Sequence, residues 1–204
     1  MHLTDYNYHL SKYISQQRSL LDQLANYQIF PFQTLSISCK DITSSGYWSQ
    51  CKKDLEAIIG DKKSVIYYFK INPPFNAGEI QRIVTSMKKT PGKSNPALPK
   101  VNEKNLCEKN DILYVGKTDK NFPGRLKQHL GLVASKTTYA LHLNTWATEL
   151  DLTLNVMPYT WPTELNLTLN VMPCNLKLEE NKMLEQIESV FHFALRPLLG
   201  RSGH

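Results

Sequence analysis

Apolar residues recur along this chain with two periods, one helical and one of two. A spacing near 3.6 links Leu10, Tyr13, Ile14, Leu20, Leu21 and Leu24 and predicts a helix over residues 6–27. A second helix is expected from Trp48 to Ile59, stopped by Gly60. Between them FPFQTLSISCKDITSSG is turn-rich, with room for one short strand. Ser64 to Ile71, SVIYYFKI, is β-branched and aromatic and lies between Lys-Lys and Asn-Pro-Pro, which predicts a strand. Ala77 to Lys89 reads as a helix with Asn76 as its N-cap and Glu79 in its first turn. Residues 90–110 carry three prolines, several lysines and no period, and predict a loop. A strand from Ile112 to Val115 and a helix from Pro123 to Val133 follow, Pro123 suiting a first helical turn.

The period of two dominates residues 145–174, where a segment is written twice. TWATELDLTLNVMPY (145–159) is followed by TWPTELNLTLNVMPC (160–174), differing at three positions. Each copy alternates apolar and polar residues: Leu150, Leu152, Leu154, Val156, then Leu165, Leu167, Leu169, Val171. Each is a half-buried strand, and two copies are too few for a solenoid. The expectation is an in-frame duplication of one sheet strand, with one copy in the core. Lys177 to Leu195 is the clearest helix, its apolar face running through Ile187 and Phe191. Glu188 falls on that face, and a buried carboxylate needs a cation or a metal.

These elements predict an α/β (α+β) fold: a small, mainly antiparallel sheet flanked by helices. Residues 1–61 read as a helical N-terminal extension and 62–204 as the main domain, with an insertion over about 72–110.

Composition adds a partner class and removes others. With 24 Lys+Arg against 18 Asp+Glu the net charge is +6, which favours an acidic partner such as nucleic acid. No run of apolar residues is long enough to span a membrane, and the N-terminus lacks a signal pattern. Cys39, Cys51, Cys107 and Cys174 are widely spaced and complete no zinc motif. They read as ordinary thiols of a cytoplasmic protein.

The densest chemistry lies in Ile112 to Gly131, ILYVGKTDKNFPGRLKQHLG. One strand, turn and helix there carry the Tyr114 phenol, the Arg125 cation and the His129 imidazole, a set suited to chemistry on a phosphate. Placed in order, the chain's motifs resemble the GIY-YIG nuclease superfamily over residues 62–200. Val65-Ile66-Tyr67 stands where that family has Gly-Ile-Tyr, and Tyr114-Val115-Gly116 where it has Tyr-Ile-Gly. Arg125 and His129 follow at i, i+4, as in the branch that includes several restriction enzymes. Glu188 matches a late helical glutamate nine residues before a proline, here Pro197. There are departures: Val65 replaces a glycine, Gly200 stands where an asparagine is common, and the tyrosine motifs lie farther apart than usual.

The resemblance implies metal-dependent endonucleolytic cleavage of DNA phosphodiester bonds, in restriction or defence or, as the closest rival, in repair of particular DNA structures. It implies Mg2+, or another divalent ion such as Mn2+, at Glu188, with Arg125 on the scissile phosphate. Tyr67, Tyr114 and His129 share the work of base and water orientation, with the division among them left open. Tyr68 should point away from Tyr67 and into the core. Gly116 would turn the chain tightly beside the substrate, and Lys117, Lys88, Lys89 and Lys93, with Lys100 and Lys104, would follow the DNA backbone. Cutting both strands of a duplex needs a homodimer or two successive nicks. The rival from another class is a nucleic-acid-binding module without catalysis. The presence of all five residues, Tyr67, Tyr114, Arg125, His129 and Glu188, argues for the enzyme.

Overall fold

A computed structural model describes residues 32–60, 64–73, 76–89, 98–105, 110–133, 139–159 and 176–200, with scattered helical positions between 8 and 22. Four strands and four helices are named here in chain order: β1 Gln33–Ser38, α1 Tyr47–Ile59, β2 Ser64–Ile71, α2 Ala77–Lys89, β3 Ile112–Thr118, α3 Phe122–Leu130, β4 Asp151–Tyr159 and α4 Leu176–Leu195. The sheet order is β1-β4-β2-β3, and every pairing is antiparallel. The fold is α+β, with helices packed against the sheet. Among the described residues no helix is long and apolar enough to cross a membrane.

The segment expected to be turn-rich with one short strand forms β1, which pairs with β4 from Gln33↔Val156 to Ser38↔Asp151. Ile37 and Cys39 then join the same core as Leu55 and Ile59 of α1. Burial pushes the Cys39 thiol up to about 12 and the Cys51 thiol up to about 11, so both are protonated packing groups. The first copy of the duplicated segment supplies β4. It sits between β1 and β2 with Leu152, Leu154 and Val156 fully buried. The second copy, residues 160–174, lies outside the described residues.

Alternation along β2 sends Val65, Tyr67, Phe69 and Ile71 into the core that α1, α2 and α3 share. Tyr68 does point the other way, but it is only part-buried, edge-on to Phe32 at 5.0 Å. The core assignment expected for Tyr68 therefore belongs to Tyr67, because the larger helical layer covers the Tyr67 face. Phe32 also meets Phe191 of α4, and Lys117 of β3 pairs with Glu185 of α4, so α4 runs along the edge strand β3.

Part of the expected loop over 90–110 is tied down. Asn102 and Asn105 donate side-chain hydrogen bonds to the Pro197 carbonyl, and Asn110 donates to that of Arg196. The stretch after α4 in turn lies beside β3, with Leu198 N–H on Ile112 O and Leu199 N–H on Leu113 O. The start of the β3 edge is thereby covered.

Candidate active site

Tyr67 faces Gly116 across the β2–β3 register and Val156 across β2–β4. Gly116 lies inside a strand, not in the turn suggested by the sequence, because β3 continues through Lys117 and Thr118. Its missing side chain makes room for two rings. A β-carbon at 116 would stand 2.7 Å from Tyr67 Oη and 2.7 Å from Tyr114 Cε1, well inside contact distance. The glycine therefore lets both phenols converge on one strand position.

The helix above this floor starts at Asn121, whose side chain accepts the Gly124 N–H, with Pro123 in the first turn. Leu126 and Leu130 bury its inner face, and Arg125 and His129, four residues apart, are carried to the tyrosines. His129 is fully buried, and both ring nitrogens are engaged. The Leu141 backbone N–H donates to Nδ1 at 3.1 Å, and Tyr67 Oη lies 2.9 Å from Nε2. A backbone amide can only donate, so Nδ1 is bare and the neutral ring carries its proton on Nε2. His129 thus donates to the Tyr67 oxygen. Burial, then the charge of Arg125, then His142, hold its pKa well below the ordinary histidine value, in keeping with a neutral ring.

Arg125 is held in place before any ligand arrives. It donates to Gln128 Oε1 at 3.0 Å and to the Tyr139 carbonyl at 2.9 Å. Its charge also acts on the Tyr67 and Tyr114 oxygens. Its charge draws both phenols down, yet both end above their ordinary value, because burial is the larger effect.

The other side of the site is α4. Glu188 is part-buried, and its charge is felt by Tyr67, Tyr114 and Arg125. Its pKa is raised, first by burial, against the opposing pull of Lys117 and with the help of Glu185. Lys117 itself is ion-paired with Glu185 at 3.2 Å. Among the described residues no ion pair ends on Glu188. One helical turn further on, His192 keeps Nδ1 buried and without a partner among the described residues. Two histidines of this neighbourhood, His142 and His192, were not singled out in the sequence. His192 had a readable signal, since it is four residues from Glu188. His142, 4% exposed with Nε2 buried and unpartnered, had none.

The donor set fits a hard divalent cation. A carboxylate that burial destabilises and that has no ion-pair partner among the described residues gains from one. No cluster of three or more His, Cys, Asp or Glu occurs among those residues, so Glu188 would be the carboxylate that holds it. The basic residues are spread out. Lys117 borders the site, Lys88 and Lys89 end α2, and Lys100 and Lys104 are exposed. The Lys88 and Lys89 side chains and all of Lys93 lie outside the described residues.

Comparison with known proteins gives one positive finding. The family model of the GIY-YIG catalytic domain matches residues 105–153. That stretch spans β3, α3 and the start of β4, and it contains Tyr114, Gly116, Arg125 and His129. Tyr67 and Glu188 lie outside it and reach the same place on β2 and α4. No curated protein and no solved structure matches the chain. The match over this strand and helix supports membership of the GIY-YIG nuclease superfamily.

Proposed function

We propose that the chain is a divalent-metal-dependent endonuclease that hydrolyses DNA phosphodiester bonds. The observation that carries this reading is the convergence of Tyr67, Tyr114, Arg125, His129 and Glu188 from two strands and two helices. Hydrolysis needs a water placed in line, an acceptor for its proton, and positive charge on the phosphate. Tyr67 is the acceptor: His129 offers its oxygen a donor and the charge of Arg125 draws its pKa down, both of which favour a phenolate. Tyr114, which is part-exposed, orients the water. Arg125 holds two phosphate oxygens with a planar fork already fixed by Gln128 and Tyr139. Glu188 holds Mg2+ or Mn2+, which supplies charge stabilisation on the phosphate when bound. Because Tyr67 is sealed at rest, substrate binding must open the site toward solvent.

The substrate is double-stranded DNA, reached with help from Lys117 at the rim and the lysines of α2 and the 98–105 segment. Restriction or defence against foreign DNA is the setting, on the strength of the Arg125-x3-His129 spacing. Cleavage of both strands then takes a homodimer or two successive nicks.

Digestion of supercoiled and linear duplex DNA with Mg2+, with and without chelator, tests the proposal. Cutting is expected only without chelator. Glu188→Ala should bind DNA and not cut it, and Arg125→Ala should lose about 10²–10³ in turnover. Undiminished cutting by Glu188→Ala would sink the metal assignment. A wild-type protein that binds but cuts no DNA would instead be a nucleic-acid-binding module.

A further inference from the structure

Between α3 and β4 the chain passes through a short strap, Ala140 to Ala147, that meets His129 through the Leu141 nitrogen, which donates to Nδ1. The strap is held far more firmly than a surface connection requires. Trp146 Nε1 donates to the Leu141 carbonyl at 2.7 Å. Thr145 donates to the His142 carbonyl twice, from Oγ1 at 2.7 Å and from its backbone N–H at 3.0 Å. Asn144 Nδ2 donates to the Gly131 carbonyl at 3.1 Å, lying where a β-carbon at Gly131 would collide with it. Gly131 also closes α3 at φ 84°, a conformation glycine adopts without strain. Between Leu141 and these anchors His142 sits at φ 51°, ψ 49°, which a histidine adopts only when its surroundings enforce it.

We propose that this strap is a tautomer clamp and Trp146 its positioning residue: by fixing Leu141, Trp146 keeps an N–H donor on His129 Nδ1 and so keeps the imidazole proton on Nε2, facing Tyr67. The inference rests on the reading of Tyr67 and His129 as active-site groups. Its chemical content is the direction of one hydrogen bond. With the Leu141 amide in place, His129 gives a hydrogen bond to the Tyr67 oxygen, which favours the phenolate; once the phenolic proton has left to solvent in the opened site, that oxygen can take a proton from water. With the amide displaced, the ring is free to move its proton to Nδ1. Nε2 then becomes an acceptor, the Tyr67 O–H points into it, and the oxygen that should take the water's proton is occupied as a donor. The contact between Tyr67 Oη and His129 Nε2 is kept in both cases, so the clamp acts through the position of a proton.

The test uses the full chain with 15N-labelled histidine. In wild type, the His129 spectrum is expected to show Nδ1 bare and Nε2 protonated. Trp146→Phe removes the indole donor. It should give a mixture of tautomers and lower kcat on duplex DNA about tenfold, with KM within about twofold. If Trp146→Phe does not fold, replacing Trp146 by benzothienylalanine keeps the ring volume and exchanges only N–H for sulfur, with the same outcome expected. A wild-type His129 protonated on Nδ1 would overturn the clamp. So would a folded variant that retains the single tautomer and full turnover. Should the wild type cut no DNA, the nuclease reading fails, while the tautomer spectra still decide the clamp.

Discussion

The two helices that wall the site are built on opposite principles. On α3, every polar group that reaches the tyrosines has a partner within the chain: His129 through both nitrogens, Arg125 through Gln128 and Tyr139. On α4, Glu188 is held part-buried with no ion pair among the described residues, and His192 Nδ1 is buried without a partner there. Both elements are helices against one sheet, so packing alone does not explain the contrast. The difference teaches where the site is finished and where it waits. The α3 wall is organised before any ligand arrives, which is how a protein avoids reorganisation during the reaction. The α4 wall carries an unfavourable charge, which a bound cation would offset.

The contrast is broken most strongly by removing a member of the finished wall. His129→Ala leaves a cavity, an unpartnered Leu141 N–H and an unpartnered Tyr67 oxygen in a fully buried place. A loss of about 3 kcal/mol is expected, or a melting temperature lower by roughly 6–12 °C. An unchanged melting curve would mean that the α3 wall is not the rigid one.

Acid should find the same wall next. The folded pKa of His129 lies below its unfolded value, so below about pH 6.5 the unfolded chain binds a proton that the folded one refuses. Stability from this group is present above the unfolded value and is lost as pH falls. His142 and His192 are shifted the same way. Each contributes at most about 1.4 kcal/mol per pH unit. Melting temperatures measured from pH 7 to pH 5 should fall. A flat profile would contradict a neutral, sealed His129.

The unfinished wall should respond with the opposite sign and less strongly. The folded pKa of Glu188 is raised, so its carboxylate opposes folding once pH rises through that value. Glu188→Gln keeps the shape and removes the charge. With chelator present at pH 7 the variant should melt slightly higher, by roughly 1–3 °C, while its cutting is lost. A lower melting point would show that Glu188 has a stabilising partner.

The smallest effect is expected from the second copy of the duplicated segment. Deleting residues 160–174 removes the second copy of the duplicated segment and leaves β4 and the strap whole. The deletant should fold, with stability within about 0.5 kcal/mol of the parent. An unfolded product would show that both copies are structural.

Most of the elements were legible because their signals are local. β-Branched and aromatic composition marked β2, period two marked β4, and Asn76 caps α2 through Gly78 N–H and Glu79 N–H as its position suggested. β1 was harder to see, since an edge strand in a polar, turn-rich stretch owes its form to its partner β4. The same limit applied to Tyr67 and Tyr68, adjacent in the chain and similar in every local property. Alternation separates them, but only the placement of the helical layer decides which one is sealed.

The sequence by itself determined the cast of the site, because Tyr114, Gly116, Arg125 and His129 stand within one strand and one helix, and an i, i+4 pair on a helix needs no distant information. The tertiary structure alone decided how that cast is wired. It showed that Gly116 leaves room for two phenols to meet, that the first of two nearly identical copies fills β4, and that His129 is set to donate a hydrogen bond to Tyr67. The physical reason is reach. The bond between Tyr67 and His129 spans 62 residues, and the amide that orients it comes from 12 residues away. No local pattern of side chains records which way a proton points across such a contact.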